Sequence, residues 1–156
     1  MSTDLDLSTD ALRGDLSRAQ AALGVSVETT EDKEASAGGR VMTTRTHHLP
    51  YGARTTTMRA RFVKQGWAEL AKKMFVKEIE IGDEAFDDAV YIATDTPELT
   101  RAFVGIARVR EAIVSLVAKD CMIDVVDDEL AVTRPDAIGS ADEEIAEALA
   151  LYAHLS

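Results

Sequence analysis

The fold is decided by one stretch, Arg40-Val-Met-Thr-Thr-Arg-Thr-His-His-Leu-Pro-Tyr-Gly-Ala-Arg-Thr-Thr-Thr-Met-Arg-Ala-Arg-Phe-Val63. Thr43, Thr44 and Thr46 on one side, and Thr55, Thr56 and Thr57 on the other, favour extended backbone, because β-branched side chains fit a pleated surface. Between them Leu49-Pro-Tyr-Gly52 is turn chemistry, with proline suited to the second position of a turn. Met58, Ala60 and Phe62 alternate with Arg59, Arg61 and Val63, so one face is apolar and the other mostly cationic. The stretch predicts a β-hairpin over residues 40–63.

Upstream of it, Ser8 and Thr9 are N-cap candidates, and Leu12, Leu16, Ala19 and Leu23 recur at helical spacing up to a stop at Gly24. Residues 25–30 alternate like a strand. Residues 31–39 are polar and small and read as a mobile loop, as do residues 1–8. Downstream, Trp67, Leu70, Ala71 and Met74 at i, i+3, i+4 and i+7 predict a short helix. A second strand pair, 76–81 and 86–94, is joined by Gly82-Asp-Glu-Ala85. Asp95 or Thr96 caps a helix that carries Pro97 in its first turn and stops near Gly105. The next helix, over 107–119, turns Val109, Ile113, Leu116 and Val117 inward, and 121–126 and 130–133 form a hairpin across Asp127-Asp-Glu129. Ser140-Ala-Asp-Glu143 is a capping box that opens a last helix through Leu155. On that helix Ile145, Leu149 and Tyr152 form one stripe and Ala148, Leu151 and Leu155 a second, which predicts deep burial. Strands in hairpin pairs, separated by helices, argue for an α+β fold: a largely antiparallel sheet built from hairpins and covered by helices on one face. Residues 1–156 read as a single domain.

Composition bounds the function. A chain of this length, 46% hydrophobic, buries enough surface to fold without a metal or a disulfide. The lone Cys121 cannot form an internal bridge, which suits a reducing compartment. The acidic start, Met1-Ser-Thr-Asp-Leu-Asp-Leu, is unlike a signal peptide, and no apolar run is long enough for a membrane helix. The expectation is a cytoplasmic protein with no membrane partner. Charge is segregated: residues 40–77 hold nine Lys/Arg against the single acid Glu69, while the whole chain carries a net −11. That layout either neutralises itself within the fold or leaves the basic stretch open to an anionic partner.

The segment Gly82-Asp-Glu-Ala-Phe-Asp87, between one strand and a second that ends in an acidic helix cap, resembles a motif of uncharacterised bacterial α+β domains of unknown function. Those domains share the Gly-Asp-x-x-Phe-Asp turn, followed by two helices and a hairpin. The likeness covers roughly residues 76–133. It implies the α+β fold and brings no activity, cofactor or catalytic residue with it.

The candidate anion- or partner-binding residues are Arg45, Arg54, Arg59 and Arg61, with Tyr51 at the turn tip. Arginines on a two-stranded ribbon can grip phosphates, and Tyr51 can stack on a base. Against this, Arg54 and Arg59 have opposite strand parity, so all four arginines share a face only with a bulge. A solvated strand face, partly paired with Asp127, Asp128, Glu129 or the acidic first turn of the last helix, explains them without a ligand. His47 and His48 invite a metal reading, but strand neighbours point to opposite faces, which leaves two surface histidines near a turn. Asp83, Glu84, Asp87 and Asp88 lack the ligand spacing of a calcium loop and read as turn chemistry. Cys121 opens an apolar strand and reads as a small hydrophobe, and Asp124 reads as facing water. No constellation identifies a reaction, cofactor or metal. The expectation is a non-catalytic, cytoplasmic protein-binding or regulatory module, with nucleic-acid or phosphate binding through residues 40–77 as the alternative. The sequence leaves the oligomeric state open.

Overall fold

The computed structural model of the protein describes residues 5–35, 37–51, 56–72, 75, 77–126 and 128–155. Among them are the strands β1 (Glu28–Ala35), β2 (Val41–Pro50), β3 (Ala60–Lys64), β4 (Lys77–Ile79), β5 (Val90–Thr94), β6 (Met122–Val125) and β7 (Glu129–Arg134). The helices are α1 (Thr9–Gly14), α2 (Leu16–Leu23), α3 (Ala68–Lys72), α4 (Glu84–Ala89), α5 (Pro97–Val104), α6 (Ala107–Ala118) and α7 (Asp142–Ala153). The strands form one antiparallel sheet in the order β1-β2-β7-β6-β3-β5-β4, and the fold is α+β.

The sheet is built around α7. Ala146, Ala148, Leu149, Ala150, Leu151 and Tyr152 are all fully buried. Three of these six are alanines, which lets neighbouring elements approach closely. The helix touches β2 and β7 on one side and α1, α2 and α6 on the others. The inward residues expected for α6, Val109, Ile113, Leu116 and Val117, all lie in the same core, with Phe62, Ile92 and Ile123 from the sheet. The main helical layer therefore sits on one face of the sheet. On the opposite face α3 covers β3 and β5, through Val63, Ala71, Phe75, Tyr91 and Ala93, with Met122 of β6 packed at the margin.

The stretch 40–63 is not a hairpin. β2 and β3 belong to the same sheet, but β7 and β6 lie between them. The residue pattern of β3 explains this: Ala60 and Phe62 enter the main core while Val63 enters the smaller one, so β3 is buried on both faces and needs flanking strands. β2 turns back instead onto β1, with Glu28 opposite His48 and Ala35 opposite Val41. Residues 31–35, expected in a loop, are thus strand. Their charges lower strand propensity in a sheet interior but are well tolerated on an edge. In the first segment, also read as mobile, Leu5 and Leu7 pack against the core.

Three local expectations shift. The first helix is two, because Asp15 adopts φ −152°, ψ 81° and its carboxylate accepts from the Arg18 amide at 3.0 Å, capping α2. Residues 86–89 are helical, not strand: Asp83 accepts from the Phe86 amide at 3.3 Å and opens α4. The capping box gives way to a start at Asp142, whose amide donates to Ser140 Oγ at 3.1 Å.

Candidate functional site

Strand alternation aims Arg45, His47 and Leu49 of β2 at the helical layer. Across the ladder Arg45 stands opposite Arg134 of β7, and His47 opposite Val132. Two guanidinium groups directly opposite repel unless an anion separates them. Glu144, from the acidic first turn of α7, supplies it. Its Oε2 accepts from Arg45 Nη2 at 2.6 Å and Arg134 Nη1 at 2.7 Å, and its Oε1 from Arg45 Nε at 3.2 Å. Arg45 Nη1 also donates to the Gly139 carbonyl at 3.0 Å. His47 Nε2 lies 2.9 Å from Glu144 Oε1, and its Nδ1 lies 2.8 Å from Thr29 Oγ1 on β1. Glu144 is 1% exposed, His47 0% and Arg45 6%.

Burial pushes the Glu144 carboxyl upward, but the hydrogen bonds from His47, Arg45 and Arg134 and the charge of Arg45 outweigh it and hold it down at about 2. An ionised Glu144 only accepts, so Nε2 of His47 carries the proton that points at it. In the neutral ring Nδ1 then accepts from the Thr29 hydroxyl. This hydroxyl–imidazole–carboxylate chain has the parts of a nucleophile relay. Two guanidiniums balance the carboxylate, the ring is enclosed, and the chain of hydrogen bonds links β1 to α7 through β2. Burial, with the charge of Glu144, pushes the nearby Cys121 thiol up to about 12, although Arg134, Lys119 and Arg45 pull the other way. The thiol stays protonated at neutral pH, as a small hydrophobe.

One turn further along α7, Glu147 makes a second buried junction. Arg108 Nη2 donates to its Oε1 at 3.0 Å while Arg108 Nε donates to the Leu7 carbonyl at 2.7 Å, and the Thr9 hydroxyl also bonds this carboxylate. α7 is therefore tied by charge to the sheet on one side and to α1 and α6 on the other.

The candidate residues do not converge on one surface. Arg45 is inside, on the helical side of the sheet. Arg61 is on the opposite face, where Nε and Nη2 grip Asp124 at 2.5 and 3.0 Å and Nη1 reaches the Leu70 carbonyl at 3.0 Å. Asp124 is thus half-buried and paired, not facing water. The Arg59 guanidinium lies 5.9 Å over the Phe75 ring. Tyr51 packs against the main core, and its amide donates to the Asp128 carbonyl at 3.2 Å. Arg54 lies outside the described residues, as does Asp127. Other cations of the stretch also have carboxylate neighbours: Arg40 with Asp136, Lys64 with Asp120, Lys72 with Glu69. His47 and His48 do point to opposite faces, but His47 is wholly buried, while His48 lies 2.9 Å from Glu129. In the acidic turn, Asp87 accepts from the amides of Ile81 at 3.0 Å and Gly82 at 2.9 Å.

Sequence reasoning did not single out Glu144, although it offered the acidic first turn of the last helix as a partner for the basic stretch, and it missed Glu147, Arg134, Arg108 and Thr29. A signal existed for the first: carried back by helical spacing, the stripe Leu155, Leu151, Ala148 lands on Glu144.

Beyond these junctions one large feature is left. All eight residues of β1 are exposed, and among the described residues nothing pairs with its outer edge. No described helix is long and apolar enough to cross a membrane. Compared with protein-family models, curated proteins and solved structures, the chain matches none.

Proposed function

We propose that the domain is a non-catalytic, cytoplasmic binding module for another protein, which docks at the β1 flank of the sheet. The observation that carries this is the strand itself. Eight exposed residues span roughly 26 Å of sheet edge with unused backbone donors and acceptors, a length that folded proteins ordinarily cover, shorten or guard with charge, and here five of the eight residues are charged. The polar groups with chemical potential are committed elsewhere: Glu144 to two guanidiniums, His47 to Glu144 and Thr29, Cys121 to the core. A buried, lone thiol also suits the reducing cytoplasm.

The alternative, a nucleic acid or phosphate held by residues 40–77, would compete for cations that Glu144, Asp124, Asp136 and Asp120 already engage. A phosphate at Arg45 would also have to displace a buried carboxylate, at a cost of several kcal/mol.

Panning a random peptide display library against the immobilised full chain tests the proposal. The expected result is a consensus, competed by soluble chain, whose binding the chain loses when β1 is altered. No enrichment over bare support would overturn it. A labelled random oligonucleotide is expected to show no binding at about 50 mM salt; binding that falls about tenfold by 200 mM would restore the alternative.

A further inference from the structure

Resting on the binding-module reading, we infer that the partner segment is a basic, extended polypeptide that adds to the outer edge of β1 as an eighth strand of the sheet. Strand addition needs a free edge, a register and a reason to prefer one partner.

β1 provides the edge, and its pairing with β2 fixes which side chains share a face. Thr29 lies opposite His47 and Thr30 opposite Thr46, so Thr29, Glu31 and Lys33 stand on the helical side, and Glu28, Thr30, Asp32 and Glu34 on the other. Three of those last four are carboxylates. The strand as a whole carries four acids and one lysine. Among the described residues none of the four acids belongs to an ion pair.

A strand added here brings its side chains within cross-strand reach of that row, where opposite charges attract and like charges repel. A second copy is a poor occupant. Self-pairing brings together two strands of four acids and one lysine each. Centred on Glu31, it sets Glu31 against itself and Glu28 against Glu34. Centred on Asp32, it sets Asp32 against itself, with only the Glu31–Lys33 pairs to offset the remaining negative charge. The same row that rejects a second copy selects lysines or arginines at alternate positions. The edge is also held to β2 on both faces, by Thr29 on His47 on the helical side and by Thr30 Oγ1, 3.3 Å from His48 Nε2, on the other. A pre-ordered edge lowers the entropy cost of docking.

The test uses the full chain and a fluorescent Lys-Thr alternating peptide matched in length to β1, read by anisotropy. A Glu-Thr peptide and a Lys-Thr peptide N-methylated at alternate residues serve as comparisons. The Lys-Thr peptide is expected to bind at least about tenfold more tightly than either. It is also expected to slow hydrogen exchange at the β1 amides. The exposed triple variant E28K/D32K/E34K, which disturbs no described contact, should prefer the Glu-Thr peptide. Equal binding of plain and N-methylated peptides, protection elsewhere than β1, or no binding of the Lys-Thr peptide would overturn strand addition. Should the display library still yield a consensus in that event, the binding module survives with a different docking surface; if neither experiment gives binding, both fall.

Discussion

Glu144 accepts from two guanidiniums and an imidazole while almost wholly out of water. Removing its charge leaves Arg45 and Arg134 facing each other with no anion between, and an amide in its place turns donors toward donors. Glu144→Gln is therefore expected to cost about 3–5 kcal/mol in urea unfolding. Glu111→Gln, at an exposed position on α6, should stay within about 0.5 kcal/mol of the parent. Equal midpoints for the two variants would show that the junction carries no stability. The acid was legible by helical periodicity, since it continues the stripe of Ala148 and Leu151. Its partners were not, because Arg45 is 99 residues away and only the folded sheet sets it opposite Arg134. Arg45 read as a surface residue for the same reason: its parity on β2 was visible, but the sign of its face depends on which strands flank it.

At the level of elements, helix periodicity and the β6–β7 turn were easier to read than strand neighbours. α5, α6 and the β6–β7 hairpin follow from Pro97, from the Val109–Val117 periodicity and from the acidic turn, all of them local signals. The β2–β3 pairing failed because a Pro-containing turn specifies a change of direction without specifying a ladder. Filling both faces of β3 decided the order instead. β1 was obscured by Glu31, Asp32, Lys33 and Glu34, whose low strand propensity is overridden by pairing with β2 on a solvated edge. Beyond the ladder with β2, the Thr29 hydroxyl on His47 ties β1 to the buried junction. Thr29→Val keeps a β-branched side chain but removes this bond, so a loss of about 1 kcal/mol and faster hydrogen exchange, confined to β1 and the facing half of β2, are expected. Exchange rates equal to the parent throughout the strand would contradict the role given to Thr29.

On the scale of the whole molecule, a basic stretch sits within a chain of net −11, and the fold resolves the contrast mostly from within. Glu144 and Asp124 take Arg45 and Arg61 on opposite faces of the sheet, so the surplus of carboxylates remains at the surface, with β1 among its bearers. Such internal pairing has a pH signature. A carboxyl held at about 2, below its ordinary 4.5, stabilises the fold fully above about pH 4.5 and loses that contribution as pH falls toward 2. The shift corresponds to roughly 3 kcal/mol. The measurement that reaches this most directly is the side-chain carboxyl carbon-13 shift of Glu144, followed by NMR from neutral pH into acid while the protein remains folded. A midpoint near 2, with native stability declining over the same interval, is the expected result. A midpoint at the ordinary glutamate value would mean that the buried guanidiniums do not hold the Glu144 charge, and the internal neutralisation of the basic stretch would be contradicted.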